Sequence, residues 1–141
     1  MEFKRGDRVE VTSKEEGFVG SYYTGKIIAR VGPIHQYLVE YETLFTEKDE
    51  TMFLREVVDA KNVRPVPPEI KCSDYSVLDK VDAYDNDGWW VGTVISTSVL
   101  EDGKYYVYFE SSSDEIAYPV DKLRIHQEFH NGKWSITKHK R

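Results

Sequence analysis

The chain repeats itself, and the repeat limits what it can fold into. Gly6-Asp7-Arg8-Val9-Glu10-Val11 returns as Leu78-Asp79-Lys80-Val81-Asp82-Ala83. Gly20-Ser21-Tyr22-Tyr23-Thr24-Gly25-Lys26-Ile27-Ile28 returns as Asp87-Gly88-Trp89-Trp90-Val91-Gly92-Thr93-Val94-Ile95. Gln36-Tyr37-Leu38-Val39-Glu40-Tyr41-Glu42 returns as Lys104-Tyr105-Tyr106-Val107-Tyr108-Phe109-Glu110, and Asn62-Val63-Arg64 as Lys122-Leu123-Arg124. The offset shrinks from 72 at the first block to 60 at the last, so the second copy carries the shorter connections. Four blocks in one order imply two modules, 1–68 and 69–141, the second ending in a hairpin. Arg64-Pro65-Val66-Pro67-Pro68 forms a stiff join between them.

Each module reads as β. Val9, Val11 and then Ile27, Ile28, Leu38 and Val39 fall in short runs bounded by Gly, Asp and Ser. Tyr106-Val107-Tyr108-Phe109 sends successive side chains to opposite faces. Four or five short strands per module predict an all-β chain of two tandem, small, strongly bent five-stranded barrels. A barrel this small buries little apolar surface alone, so the pair is expected to pack as one unit. Beyond Lys122, the run Ile125 to Phe129, an Asn131-Gly132 turn, Trp134 and Ile136 predict the hairpin. Asp49 to Ala60 lacks alternation, and the spacing of Met52-Phe53-Leu54 and Val57-Val58 predicts a single helical turn or a loop.

Composition removes several functions. Twenty-five acidic against 19 basic residues give a net charge of −6, the wrong sign for a general binder of phosphate backbones. No apolar run approaches the length of a membrane span, so no membrane partner is expected. The single cysteine, Cys72, excludes an internal disulfide and a thiolate zinc site. Histidines 35, 126, 130 and 139 lack ligand spacing, so neither metal nor cofactor is expected. Cys72 has no orienting group beside it in sequence, Ser111-Ser112-Ser113 beside Asp114 lacks a nucleophile elbow, and no phosphate loop exists. The chain is not expected to be an enzyme. What stands out is 13% aromatic residues in an otherwise hydrophilic sequence.

Several blocks resemble plant tandem Agenet domains, a branch of the Tudor-like group of small SH3-like barrels. The first copy carries the likeness in Gly6–Val11, Glu15-Glu16-Gly17-Phe18-Val19-Gly20-Ser21-Tyr22-Tyr23 and Val63-Arg64-Pro65-Val66-Pro67-Pro68. The second carries it in Val81-Asp82-Ala83-Tyr84, Asp87–Gly92, Tyr106–Glu110 and Leu123-Arg124-Ile125-His126-Gln127-Glu128. Members often show Ser-Trp-Tyr where this chain has Ser21-Tyr22-Tyr23. The resemblance implies recognition of methylated lysine or arginine on chromatin proteins, with the dimethyl mark of silent chromatin on the histone H3 tail as the expected ligand.

A methylated ammonium keeps its charge, loses hydrogen-bond donors and gains apolar surface, so ring faces hold it at roughly 0.5–2 kcal/mol per ring. By analogy with Tudor-like barrels, the second module offers Tyr84, Trp90 and Phe109, with Trp89 and Tyr118 nearby and Asp85, Asp87, Asp114 and Glu115 as acids. The first offers Tyr23, Tyr41 and Phe45, with Phe18 or Tyr22 as a further wall and Glu42, Glu47 or Asp49 as the acid. Ser13 is taken as the counterpart of Tyr84, so the first module lacks a first-strand ring. Each aromatic has an alternative role in core packing, and of the adjacent pair Trp89 and Trp90 one should point inward and one outward.

Between 79 and 121 two basic residues face ten acidic ones, a surface that would steer a basic histone tail. The last twenty residues reverse sign, ending in Lys138-His139-Lys140-Arg141, a solvated terminus or weak targeting tail. The expected protein is thus a nuclear, monomeric, non-catalytic reader of the H3 tail. The alternatives are a scaffold indifferent to methylation and an RNA- or DNA-binding barrel whose exposed rings stack on bases.

Overall fold

Alternating apolar residues and well-placed turn formers organise the chain into two copies of one strand pattern. The computed structural model describes residues 2–33, 35–72, 74–96 and 103–136. The compact units are Met1–Val66 and Pro67–Arg141. Unit 1 contains β1 (Arg8–Thr12), β2 (Ser21–Val31), β3 (Gln36–Phe45), β4 (Phe53–Asp59) and β5 (Val63–Pro65). Unit 2 contains β6 (Lys80–Asp85), β7 (Gly88–Ser96), β8 (Lys104–Phe109), β9 (Asp114–Pro119) and β10 (Leu123–Ile125), followed by β11 (Gln127–His130) and β12 (Lys133–Ile136).

Pairing is antiparallel, and the strand order is the same in the two units. In unit 1 the spatial order is β4-β3-β2-β1-β5. In unit 2 it is β9-β8-β7-β6-β10. A short 3-10 turn precedes the last strand of each, at Ala60–Asn62 and at Val120–Lys122. The bulges match as well, falling between Ile27 and Ala29 in one copy and between Val94 and Ser96 in the other.

The inner faces make the cores. Val9, Ile27, Tyr37 and Val39 are buried in unit 1, and Val81, Ala83, Val94, Tyr105, Val107 and Leu123 in unit 2. Each second strand carries a glycine pressed against the third strand. A Cβ on Gly25 would lie 2.7 Å from Val39 Cγ1 and 2.8 Å from the Glu40 carbonyl oxygen. One on Gly92 would meet Val107, the Tyr108 carbonyl and Phe109. Only hydrogen fits at either position.

The repeat also preserves a buried ion pair. Glu10 on β1 accepts from Arg64 Nε and a terminal guanidinium nitrogen at 3.1 and 2.8 Å, with both side chains buried. In unit 2 Asp82 accepts from Arg124 Nε at 2.8 Å. Each guanidinium then lies on a ring of its unit's second strand, Arg64 at 3.6 Å from the centre of Tyr22 and Arg124 at 4.1 Å from that of Trp89. Carboxylate, arginine and ring thus form one sandwich, present twice, on β1-β5-β2 and on β6-β10-β7.

Three sequence expectations change. Residues 53–59, read as a helical turn or loop, form strand β4 against β3. Only Val58 of that strand is buried, so nothing imposes strict alternation on its sequence. Strand register sets Thr12 opposite Tyr22 and Tyr84 opposite Trp89. The counterpart of Tyr84 is therefore Thr12, and Ser13 matches Asp85. The terminal hairpin forms, with Asn131 and Gly132 both at positive φ (51° and 77°) and Phe129 packed on Trp134 at 4.9 Å. Its first strand starts at Gln127, because Ile125 closes β10. Glu101, Asp102 and the tail Lys138-His139-Lys140-Arg141 lie outside the described residues.

Candidate functional site

The two units differ most in the link between their first two strands. Unit 2 turns in two residues, Asn86 and Asp87, both at positive φ (49° and 65°), as a tight hairpin requires. Unit 1 uses a long loop after Ser13, with Gly17 and Gly20 at φ 87° and 83°. The loop is tied down locally: Ser21, itself buried, donates its hydroxyl to the Phe18 carbonyl at 2.6 Å, and Phe18 N–H donates to the Glu15 carbonyl at 3.0 Å. Those bonds hold the Phe18 ring edge-on to Tyr23, with centroids 6.4 Å apart at 63°.

Phe18, Tyr23 and Tyr41 line one cavity of about 400 Å³ in unit 1. Leu44, Leu54, Val57 and Val58 add apolar wall, and Glu15, Glu56 and Asp59 supply carboxylates. Among the described residues, no lysine or arginine lines it. Tyr41 donates its hydroxyl to Glu56 at 3.0 Å. Burial first, and the Glu56 charge second, push the Tyr41 phenol well above its ordinary value, so it remains a donor throughout the physiological range. Chemically, the described lining offers aromatic rings and negative charge without a competing cation. A cation with an apolar coat fits that combination.

Tyr23 and Tyr41 therefore meet in the cavity, and Phe18 completes the ring set. Tyr22 lies elsewhere, under Arg64. Phe45 is also separate: it stacks on Phe53 at 5.0 Å, 47% exposed, and Leu44 takes the cavity position. The cause is a shift in β3–β4 register between Glu40 and Phe45, which interrupts the alternation that carries Tyr37, Val39 and Tyr41 inward. The proposed acids sit apart from it as well. Glu42 pairs with Arg8 at 3.0 Å, and Asp49 accepts from the Thr51 hydroxyl and N–H at 2.6 and 2.9 Å, which lowers its pKa. The acid beside the rings is Glu56, on the strand that the sequence hid. No matched repeat block covers 53–59 or its structural counterpart 114–119, so the repeat alone did not disclose this strand.

In unit 2 the named rings divide between two faces. Tyr84 and Trp89 pack edge-to-face at 5.1 Å on the face covered by Arg124, with Lys122 Nζ 5.5 Å from the Tyr84 ring. Trp90 and Phe109 lie on the core face. There Tyr118 occupies the place that Val58 holds in unit 1, since Tyr105 faces Tyr118 as Tyr37 faces Val58. The Tyr118 ring stands edge-on to Phe109 at 6.0 Å, and its hydroxyl donates to the Asp85 carboxylate at 2.6 Å. Trp90 Nε1 donates to the Asp85 carbonyl at 2.8 Å. These rings engage one another and the β6 terminus. Asp87 sits in the tight turn, and Asp114 and Glu115 are exposed at the start of β9. A separate cleft of about 560 Å³ in unit 2 is lined by Pro67, Ile70, Cys72, Trp89 and Arg124, among others. Among the described residues, no group of three or more His, Cys, Asp or Glu side chains is placed to hold a metal ion.

Comparison with known proteins agrees with this doubled architecture. The Agenet domain family matches residues 6–68 and 78–128. Protein AGENET DOMAIN (AGD)-CONTAINING P1 of Arabidopsis thaliana is 43% identical over 139 residues, covering 93% of this chain and 26% of the relative. DUF724 domain-containing protein 6 of the same plant is 36% identical over 140 residues, 93% of this chain and 19% of that protein. The chain thus spans about a quarter or less of the curated relatives it matches. Among solved structures, Arabidopsis thaliana AGDP1 AGD34 superposes with a TM-score of 0.88 at 36% identity, covering 96% of this chain and 90% of that one. ADCP1 tandem Agenet domain 3-4 gives 0.84 at 34% identity, with 96% and 89% covered. A family match to both halves and full-length likeness to two tandem structures leave one assignment: this chain is a tandem pair of Agenet domains, a member of the Agenet family within the Tudor-like group.

Proposed function

We propose that the chain is a non-catalytic chromatin reader that holds a methylated lysine in the unit 1 cavity. The observation that carries this reading is the convergence of Phe18, Tyr23 and Tyr41 with Glu56 around a space lined, among the described residues, by no lysine or arginine. The rings attract a methylammonium through their faces and cover its methyl groups. A dimethylammonium retains one N–H, which a carboxylate can accept, and Glu56 is the acid already positioned by Tyr41. Tandem Agenet and Tudor-like domains are often chromatin readers, which supports a histone as the ligand's source and the nucleus as the site of action. The best-fitting mark is dimethyl-lysine of silent chromatin on the basic H3 tail.

Calorimetric titration of the purified chain with H3 peptides unmodified, mono-, di- and trimethylated at that lysine tests the proposal. We expect methyl-dependent binding in the roughly micromolar range, the scale of a few ring contacts and charge-assisted bonds less ordering costs. Tyr23→Ala or Tyr41→Ala should abolish the methyl dependence. Equal affinity for modified and unmodified peptides would replace the reading with a methylation-independent scaffold. Stronger, salt-sensitive binding to single- or double-stranded nucleic acid would replace it with a nucleic-acid barrel.

A further inference from the structure

Strand β4 pairs with β3 along one edge, and the other edge has no ladder partner among the described residues. The pairing fixes which backbone groups face each way. Ala60 N–H donates to the His35 carbonyl at 2.9 Å, so residues 56, 58 and 60 aim their N–H and C=O groups at β3. The bonds at Ile27 give the same phase from the other side: Ile27 exchanges with Asp7 and Gly6, which leaves Lys26 to bond Glu40 and Val39 to bond Glu56. The N–H and C=O groups of Arg55, Val57 and Asp59 therefore face outward from the sheet edge. All three residues are exposed.

That same edge borders the cavity. Leu54, Glu56, Val57, Val58 and Asp59, nearly the whole strand, contribute to its lining. Glu56 and Asp59 place two carboxylates along the edge, and the one arginine of the strand, Arg55, is already held by Glu40 at 2.8 Å. An extended chain laid on this edge would send alternate side chains towards the face on which Glu56 and Val58 lie. One of those side chains would reach the rings.

We infer that the peptide binds by adding a strand to the free edge of β4, an extended basic segment whose methylated lysine turns into the ring-lined cavity. This rests on the reading of the cavity as a methyl-lysine site and extends it: the backbone of the ligand, and not its modified side chain alone, is recognised. The acidic lining selects a basic segment, and the alternation of the ladder selects which ligand amides take part.

Ester scanning tests it, because an ester removes one N–H at almost constant shape. The probe is the dimethylated H3 peptide with single amide-to-ester replacements at each position within three residues of the modified lysine, titrated into the whole chain. The expected pattern is alternating: replacements at every second residue weaken binding by about two- to tenfold each, and those between leave it unchanged. Either phase supports the ladder, since a parallel and an antiparallel strand use opposite sets. A flat or non-alternating profile overturns it. Val57→Pro is the matching protein variant, since the lost N–H faces outward and the β3 ladder is spared. It should weaken the peptide at least tenfold more than Val57→Ala, which removes the same cavity-wall side chain and keeps the N–H, with methyl preference retained in both. If Val57→Pro lowers the melting temperature as well, amide exchange decides: peptide addition to the unaltered chain must slow exchange at Arg55, Val57 and Asp59, and unchanged rates overturn the proposal. Loss of methyl dependence in the parent peptides would instead refute the cavity reading, so the two failures are distinguishable.

Discussion

Glu56 and His126 show how single side chains acquire a role from their surroundings. Glu56 is one of 25 acids, yet it is the one that accepts from Tyr41 beside three rings. Glu56→Gln keeps the shape and removes the charge, so the preference for dimethyl over trimethyl peptide should fall at least fivefold, on the order of one charge-assisted hydrogen bond. Competition titration with the two peptides measures it. His126 is buried between Asp82 and Glu128, with Nδ1 and Nε2 each 2.7 Å from a carboxylate oxygen. Burial pulls its pKa down, but the bonds and charges of Asp82 and then Glu128 outweigh it, and the value lies above the ordinary imidazole range. The folded chain thus binds this proton more tightly than the unfolded one. The stabilisation is complete below the ordinary imidazole pKa and is lost as pH rises through the raised value. Melting temperature against pH should show that fall, and His126→Gln should flatten it.

At the scale of elements, the sandwich of carboxylate, arginine and ring repeated on the first, last and second strands does similar work in each unit. Arg64→Met would leave Glu10 buried without its partner and should cost about 3–5 kcal/mol, read by urea unfolding. Adding Glu10→Leu should return most of the loss, because the penalty is the unpaired charge and not the missing bridge. Gly92→Ala forces a methyl against Phe109 and the Tyr108 carbonyl, each 3.0 Å from its Cβ, at a cost of about 1–3 kcal/mol in the same assay. Strand β4 was hard to read in sequence because it is an edge with one buried residue. Its neighbours with buried inner faces, such as Tyr105, Val107 and Phe109 on β8, alternate plainly. The β1–β2 loop was visible as the larger offset at the start of the repeat, but its effect, placing Phe18 beside Tyr23, depends on bonds to Ser21 and Glu15.

Across the whole molecule, the repeat produces two scaffolds of the same topology and two different uses of their rings. Unit 1 leaves Tyr23 and Tyr41 lining a cavity, with Val58 at its wall. Unit 2 places Tyr118 at the matching position, engaged with Phe109 and Asp85. The expected stoichiometry is therefore one methylated peptide per chain, measurable as the calorimetric end point. Trp90→Ala should lower the melting temperature of the chain and leave methyl preference intact, the reverse of Tyr23→Ala.

The sequence by itself determined the two-module plan, the β class, the terminal hairpin and the family. Those features rest on local periodicity, turn chemistry and repetition, all of which are written along the chain. The tertiary structure alone decided which rings converge. Tyr22 and Tyr23 are neighbours in sequence and part company because strand side chains alternate; Phe45 leaves the cavity because a register shift interrupts that alternation. Glu56 joins Tyr41 from fifteen residues away because β3 and β4 are antiparallel partners. Face and register are set by pairing between strands, and a linear pattern carries them only where burial enforces it.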